Sequence, residues 1–504
     1  VDTDWVKLGS TLTHPDGAGS AFGVKTKLNA AGDMIIIGAS VADTIHIFKY
    51  QNGDWVQIGD TLTGIGSSQT FGATVAISDD GTKILGSGAN DDLNGTNSGY
   101  VQAFQWSREP MDHPIMEVSG NTFTIDCNSK NHASSYTVAE LGSTLYGEAA
   151  NDHFGIVAEM NKDGSVVAIG AKGVSSGDGA VYVYTYRSGA WQQKGSTISP
   201  YSSFSNSQFG FGVDINDDGN VIVTGSTHHY NDNGASVNDA GSLDVFEFTN
   251  GDWVQKGRSF KGIAVDDHLG LFSSSINGAG NIIAGLFHMS GFVRVYQYDD
   301  DTSDWVQMGG DIPMTPGVGS VAEYWQQRRI DLSEDGTIIA LGDVEDDTTG
   351  TNNGKITIYK YTVVDNVGSW NKLGDDIVSP TDSSFPQNDV FGCCVSLSSD
   401  GHTVAFSSLL WNSEKGLARI FKYSEEGNVW TQLGADFNTT TVANNNGSYL
   451  FRGMGLSGDG KTFIHGESHN DTNGSNYGAV HIYKYFNGQW NQIHTEYGTR
   501  SSHF

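Results

Sequence analysis

The chain has 504 residues, 66 of them glycine and eight proline, and its 37% apolar content falls in short runs that suit many tight hairpins rather than disorder. No run of 18 apolar residues occurs, which excludes a membrane-spanning helix. Fifty-eight acidic against 27 basic residues give a net charge of −31, which repels phosphate backbones and argues against nucleic acid as a partner.

A Trp-x-x-x-Gly segment punctuates the chain in order: DWVKLG at Trp5, DWVQIG at Trp55, AWQQKG at Trp191, DWVQKG at Trp253, DWVQMG at Trp305, SWNKLG at Trp370, VWTQLG at Trp430 and a truncated QWNQI at Trp490. Between these come a Phe-Gly pair, a glycine turn, an apolar run and a Gly-led aromatic strand. A period of about 50–60 residues with several strands per unit predicts the blades of a β-propeller. Length alone suggests three domains, but blades share one core, so a single domain over 1–504 is expected.

Residues 154–195 show the unit. FGIVAEM alternates and ends at the Lys162-Asp163-Gly164 turn, where a positive φ is needed. SVVAIGA is nearly all apolar, as a strand buried on both faces should be. GAVYVYTY alternates with its aromatics on one face, and Ser188-Gly189-Ala190 leads into AWQQKG as the fourth strand. Turn glycines recur at Gly32, Gly81, Gly164, Gly219, Gly280, Gly336, Gly401 and Gly460. Third strands read TIHIFKY, YVQAFQW, AVYVYTY, SLDVFEF, FVRVYQY, KITIYKY, LARIFKY and AVHIYKY. Eight sets predict an all-β, eight-bladed propeller of four-stranded antiparallel blades, with seven blades as the alternative. The spacing from Gly81 to Gly164 is too long for one unit, which places an insertion at 107–136, after which Val138 takes the tryptophan position. Nine segments compete for eight outer strands, so either the Trp5 or the Trp490 strand completes the last blade. A joining of the two termini is expected, because an open ring leaves strand edges exposed.

The unit resembles the FG-GAP repeats of integrin-α-type propellers, and is more similar to the WVQLG-type repeats of secreted proteins of diatoms and related algae. The resemblance covers nearly all of the chain outside 107–136 and implies the fold rather than an activity. FG-GAP blades often carry an Asp-x-Asp-x-Asp-Gly calcium loop. Here the turns SDDGT, NKDGS, NDDGN, SEDGT and SSDGH are short and read as hairpin turns. No cofactor is predicted, with calcium left open for the Asp- and Asn-rich loops.

The chain opens on a repeat at Val1, so a signal peptide is expected to have been removed or never present. Cys127 stands alone and Cys393-Cys394 are adjacent, so no disulfide framework is expected, and a bridge from Cys127 to that pair depends on the fold. Sequons at Asn94, Asn438, Asn446, Asn470 and Asn473 fit a secreted glycoprotein.

Antiparallel blades put the glycine turns on one face, and the second-to-third-strand and blade-entering connections on the other. The long connections are Asn90–Gly99, Ser226–Gly241, Gly342–Gly354 and Gly466–Gly478, with Ser199–Gln208 and Thr439–Leu450 entering blades. Function is expected on that loop-rich face. The repeat breaks in unit six, where Phe-Gly is replaced by Gln326-Gln327 within Glu323-Tyr324-Trp325-Gln326-Gln327-Arg328-Arg329. Tyr324, Trp325, Gln326, Arg328 and Arg329 are therefore ligand-binding candidates. The bland account is that Arg328 or Arg329 neutralises nearby acids and plugs the channel. Unit eight also deviates, and Arg452 joins the candidates. His153 (NDHFG) and His268 (DDHLG), which precede first strands, are further ligand-binding candidates, and the metal candidates His228, His229, His288 and His469 lie in loops of the same face. A metal needs three or four such ligands converging; hydrogen-bonded loop histidines are the plainer account. The repeated tryptophans mark blade packing, whereas Trp325 and Trp411 fall outside that register and suit a carbohydrate platform.

No nucleophile elbow and no phosphate-binding loop occurs. The expected function is a secreted, noncatalytic propeller binding an extracellular protein or polysaccharide through its loop-rich face. One alternative is a secreted hydrolase or lyase acting on an anionic substrate at the channel mouth. Another is a structural subunit of an extracellular assembly, in which leftover terminal strands make an oligomer.

Overall fold

The computed structural model describes residues 22–51, 54–65, 70–90, 92, 95–108, 116–119, 122–125, 136–200, 207–227, 239–270, 274–316, 329–350, 353–379, 391–408, 416–438, 450–467, 479–486 and 489–497. Eight four-stranded antiparallel sheets follow one another in chain order and form a ring, an eight-bladed β-propeller. Blade 1 comprises Phe22–Leu28, Met34–Ala39, Thr44–Gln51 and Asp54–Gln57. Blade 2 comprises Thr74–Ile77, Lys83–Gly88, Tyr100–Arg108 and Tyr136–Glu140. Blade 3 comprises Phe154–Met160, Val166–Ala171, Ala180–Arg187 and Ala190–Gln193. Blade 4 comprises Gly212–Ile215, Val221–Ser226, Ser242–Thr249 and Asp252–Gln255. Blade 5 comprises Ser274–Ile276, Ile282–Phe287, Phe292–Asp299 and Asp304–Gln307. Blade 6 comprises Ile330–Leu332, Ile338–Asp343, Lys355–Val364 and Val367–Lys372. Blade 7 comprises Phe391–Leu397, Thr403–Ser408, Leu417–Ser424 and Val429–Gln432. Blade 8 comprises Leu450–Leu456, Thr462–Glu467, Ala479–Phe486 and Gln489–Tyr497.

The turn between first and second strands is built alike in every blade. Its first residue is Asn or Ser, and its fourth is a glycine in the left-handed region, such as Gly32 at φ 62°. Gly32 N–H donates to Asn29 O at 3.0 Å, and Gly336 N–H to Ser333 O at 2.8 Å. The leading side chain then accepts from the backbone five residues on: Asn29 Oδ1 from Met34 N–H (2.9 Å) and Ser333 Oγ from Ile338 N–H (3.0 Å). The turn aspartates are spent locally: Asp80 Oδ1 accepts from Ser78 Oγ and Thr82 N–H. These are hairpin turns closed by a side-chain cap.

The Trp-x-x-x-Gly spacing is a contact between neighbouring blades. Trp305 Nε1–H donates to Lys256 O (2.6 Å), Lys256 being the residue three past Trp253, and Trp370 Nε1–H donates to Met308 O (2.6 Å). Trp253 and Trp430 repeat the bond to Lys194 O and Leu373 O. The glycine one residue further leaves room for the indole: a Cβ on Gly257 (φ 73°) would stand 2.6 Å from Trp305 Cδ1. One tryptophan thus needs the previous unit's glycine, which explains why both recur at a fixed separation. In blade 2 the register sets Val138 opposite Trp106, whereas Trp55 opposes Tyr50 in blade 1.

The hydrophobic core is a series of clusters lying in the seams between blades. Second strands such as MIIIGA and VVAIGA are buried along their full length, each large aliphatic side chain contributing about 1.5–3 kcal/mol of transfer free energy. The seam between blades 8 and 1 holds such a cluster, with Ile464 and Ile482 packed on Phe22, Ile35 and Ile37. It also repeats the backbone contacts of the other seams. A Cβ on Gly466 would meet Gly23 O at 2.0 Å, as one on Gly38 would meet Gly72 O at 2.1 Å. Thr462 Oγ1 donates to Gly32 O at 3.2 Å. The ring is closed by face packing.

Of the two strands expected to compete for the last blade, the Trp490 strand completes it, and a joining of the termini through the N-terminal strand falls outside the described residues. Trp490 lies in blade 8's own outer strand, Trp55 in that of blade 1, and each blade is one contiguous segment. The Trp5 strand lies outside the described residues. The insertion is also shorter than expected: Ser107, Arg108 and Tyr136 belong to the blade 2 ladder. Within it, Met116–Ser119 pairs with Thr122–Ile125 as a separate hairpin. Cys127 lies outside the described residues, and Cys393 and Cys394 are buried.

Candidate functional site

First strands line an axial cavity of about 470 Å³. At one level of the wall, residues at equivalent register are Lys27, Ala76, Glu159, Asp214, Asp331 and Ser396. Asp214 Oδ2 accepts from Ile276 N–H of blade 5 (3.2 Å), Asp331 Oδ2 from Leu397 N–H of blade 7 (2.8 Å), and Ser396 Oγ from Leu456 N–H of blade 8 (3.3 Å). These groups staple one inner strand to the next. Lys27 Nζ faces Glu159 Oε2 at 3.7 Å.

The turn face of this channel is drawn tight. Ala30 N–H donates to Asp79 O, Asp79 N–H to Lys162 O, Asp217 N–H to Gly278 O, Gly278 N–H to Glu334 O, Glu334 N–H to Ser399 O and Ser399 N–H to Gly458 O, at 2.7 to 3.2 Å. Asn161 Nδ2 bridges to Asp217 O at 3.1 Å. The hydrogen bonds pass from turn to turn between blades 1 and 8. Lys162 then reaches across the opening to Asp217 (2.9 Å) and Glu334 (2.5 Å), joining blade 3 to blades 4 and 6. The Glu334 hydrogen bond raises the Lys162 pKa, and the same bond lowers that of Glu334. Burial raises the Asp79 carboxyl, with Asp217 and Glu334 adding to it against Lys162. These bonds tie the turn-face ends of the inner strands to one another.

A second polar group lies between blades 5 and 6. Arg329, only 2% exposed, sits directly before the first strand of blade 6. Its Nη1 donates to Glu345 Oε2 at 3.1 Å and its Nη2 to His288 Nδ1 at 2.7 Å. A guanidinium has no acceptor, so His288 Nδ1 carries no proton. Burial, then the Arg329 charge, push the imidazole down to about 3. The 3.6 Å approach of His288 Nε2 to Glu345 is accordingly a neutral contact rather than an ion pair. Asp343, in the same group, accepts from Thr315 N–H (2.9 Å) and Thr315 Oγ1 (3.0 Å). Burial pushes its carboxyl up to about 6. Lys355 adds an ion pair to Asp346 at 2.7 Å.

Of the residues singled out from sequence, Arg329 and His288 are brought together, and the charge of His268 acts on the same imidazole. Arg329 is the neutralising partner of an acid, so a variant removing it disturbs packing as well as any ligand contact. His153 stands apart in blade 3, with Nδ1 3.1 Å from Asn90 Oδ1 and its pKa lowered, first by burial and then by Lys172. His153 (φ 52°), directly before the first strand of blade 3, and His268 (φ 46°), six residues ahead of Ser274 in blade 5, share a left-handed backbone, a conformation His adopts more readily than most residues. Their neighbours Asp152 and Asp267 cap the loop: Asp152 Oδ2 accepts from Ala149 N–H (2.7 Å), and Asp267 Oδ2 from Ile263 and Ala264 N–H. The recurrent Asp-His pair is explained by that turn.

Tyr324, Trp325, Gln326, Arg328, Trp411, His228, His229 and His469 lie outside the described residues, as do Asn94, Asn446, Asn470 and Asn473. Arg452 and Asn438 stand in strands. Among the described residues no three His, Cys, Asp or Glu side chains gather as a metal site. Sequence reasoning missed Lys162, Glu345 and Asp343. The signal for Lys162 was present: it occupies the second position of the Asn/Ser-x-x-Gly turn, where Asp79, Asp217 and Glu334 stand in other units.

No protein-family model matches the chain, and no curated protein matches it. Among solved structures, a putative 6-phosphogluconolactonase from Bacteroides fragilis is 14% identical with a TM-score of 0.45, covering 81% of this chain and 95% of that one. The β-propeller domain of Cps50 from Myceliophteria thermophila is 10% identical with a TM-score of 0.43, covering 82% and 100%. The periplasmic gluconolactonase of Pseudomonas aeruginosa is 12% identical with a TM-score of 0.41, covering 92% and 93%. Likeness at this level assigns no activity, and the propeller architecture rests on the chain's own eight sheets.

Proposed function

We propose that the chain, as one propeller over 1–504, is a noncatalytic binding module that works outside the cell and takes a protein or polysaccharide on its loop-rich face. The observation that carries this reading is the asymmetry of the two faces. Turns on one face are uniform and are hydrogen-bonded from blade to neighbouring blade. Second-to-third-strand connections on the other run from four residues (40–43) to fifteen (227–241). Variable loops on a rigid frame are where recognition concentrates. The five sequons, and the likeness of the repeat to FG-GAP and WVQLG types, support the extracellular setting. A hydrolase or lyase at the channel mouth is less well supported, because Arg329 is engaged with Glu345 and His288.

The test is capture of glycans or extracellular proteins by the immobilised chain, compared with a variant whose 228–238 loop is cut to the length of the 288–291 connection. Loss of capture without loss of melting temperature supports the reading. Absence of any captured ligand, together with turnover of a small substrate, overturns it.

A further inference from the structure

We propose that the axial cavity is a small-molecule well that takes a carboxylic acid bearing hydroxyl donors, held between Lys27 and Glu159. The proposal is independent of loop-face binding. Three observations carry it. The cavity of about 470 Å³ lies within the size range of ligand pockets and above the volume of ordinary packing defects. At its turn-face end the turns of neighbouring blades are hydrogen-bonded to one another, and Lys162 reaches across to Asp217 and Glu334.

The third observation is that the wall has two unlike halves. On blades 4, 6 and 7 the polar groups at mid-level are spent on the next blade's backbone: Asp214 on Ile276, Asp331 on Leu397 and Ser396 on Leu456. On blades 1 to 3 the same level carries Lys27, Ala76 and Glu159. Lys27 and Glu159 face one another at 3.7 Å, with 41% and 27% of their side-chain surface still open. Lys25, on the same strand, also lines the cavity. Ala76 on the intervening blade is small, which leaves the space over it free. A carboxylate laid there meets the Lys27 ammonium, with Lys25 beside it, while hydroxyls on the same molecule donate to Glu159. Both ends of a loose, solvent-open ion pair are then used. Neutral sugars of the same size lack the group that the lysines select.

Isothermal titration calorimetry of the full chain with D-glucuronate tests this, with D-glucose as the uncharged control. Glucuronate should bind and glucose should not. Lys27→Met should weaken glucuronate at least tenfold, and Glu159→Gln should weaken it too. Lys372→Met, on the outer surface, should leave binding unchanged. Loop-face capture should be unaltered in Lys27→Met, which separates failure of this proposal from failure of the one above. No heat with glucuronate at millimolar concentration overturns the proposal. So does equal binding by the wild type and by folded Lys27→Met and Glu159→Gln.

Discussion

Replacing Gly466 by Ala probes the closure of the ring directly. A Cβ at Gly466 in blade 8 would lie 2.0 Å from the carbonyl oxygen of Gly23 in blade 1. That atom is backbone, so one blade has to move by more than an ångström to restore an ordinary contact. Overpacking of this kind costs about 1–3 kcal/mol, occasionally more, which raises opening of the seam roughly 5- to 150-fold. The same geometry at seams where the chain runs on from blade to blade supplies the controls. A Cβ at Gly170 would meet Gly210 O at 2.0 Å, and one at Gly342 would meet Gly392 O at 1.8 Å. Native-state hydrogen exchange reads the outcome. Gly466→Ala should speed exchange in the second strands of blades 1 and 8, at 34–39 and 462–467, and leave blade 4 at wild-type rates. Gly170→Ala should act on blades 3 and 4 instead. If Gly466→Ala leaves exchange unchanged while Gly170→Ala and Gly342→Ala accelerate it, blades 8 and 1 are not in register and the ring is not closed as described.

Trp305→Phe should cost about 1–3 kcal/mol in urea unfolding, because Lys256 O loses its donor inside a closed seam. Arg329→Ala, which leaves Glu345 buried without its charge partner, should cost about 3–5 kcal/mol; a variant as stable as wild type would show the pair to be dispensable. Burial, with His481 adding to it, lowers the His465 pKa well below its ordinary value of 6.5. The stability it contributes is therefore present above pH 6.5 and lost as the pH falls. Melting curves of His465→Phe should decline less between pH 6.5 and 5 than those of wild type. Asp343 has the opposite sign, since burial raises it to about 6: its contribution is full below pH 3.8 and lost as the pH rises through about 6. Asp343→Asn should thus gain relative stability above pH 6, and equal pH profiles for the two proteins would refute the assignment.

Much of the architecture is legible before any coordinates. The turn glycines and the apolar second strands answer to a local requirement that all eight units state, and the outer-strand tryptophan recurs in seven of them, with Val138 in its place in blade 2. The site was less legible. Arg329 stands out because the repeat fails around it, yet its partners come from connections of two different blades: Glu345 carries no mark of its own, and nothing in the sequence ties His288 to Arg329. Lys162 hides inside a motif that reads as a turn, and its meeting with Glu334 joins residues 172 positions apart. His153 and His268 invited a chemical reading that their left-handed backbone explains more simply.

The repeat by itself determined blade number, strand order and which face carries short turns, because hairpin geometry and burial of both sheet faces are short-range demands that each unit meets with its own residues. Ring closure, the Lys162 bridges across the channel and the pairing of interior charges were decided only in the tertiary structure. Those contacts join blades far apart in the chain, and the Coulombic and steric terms that select them depend on the separations the closed ring creates.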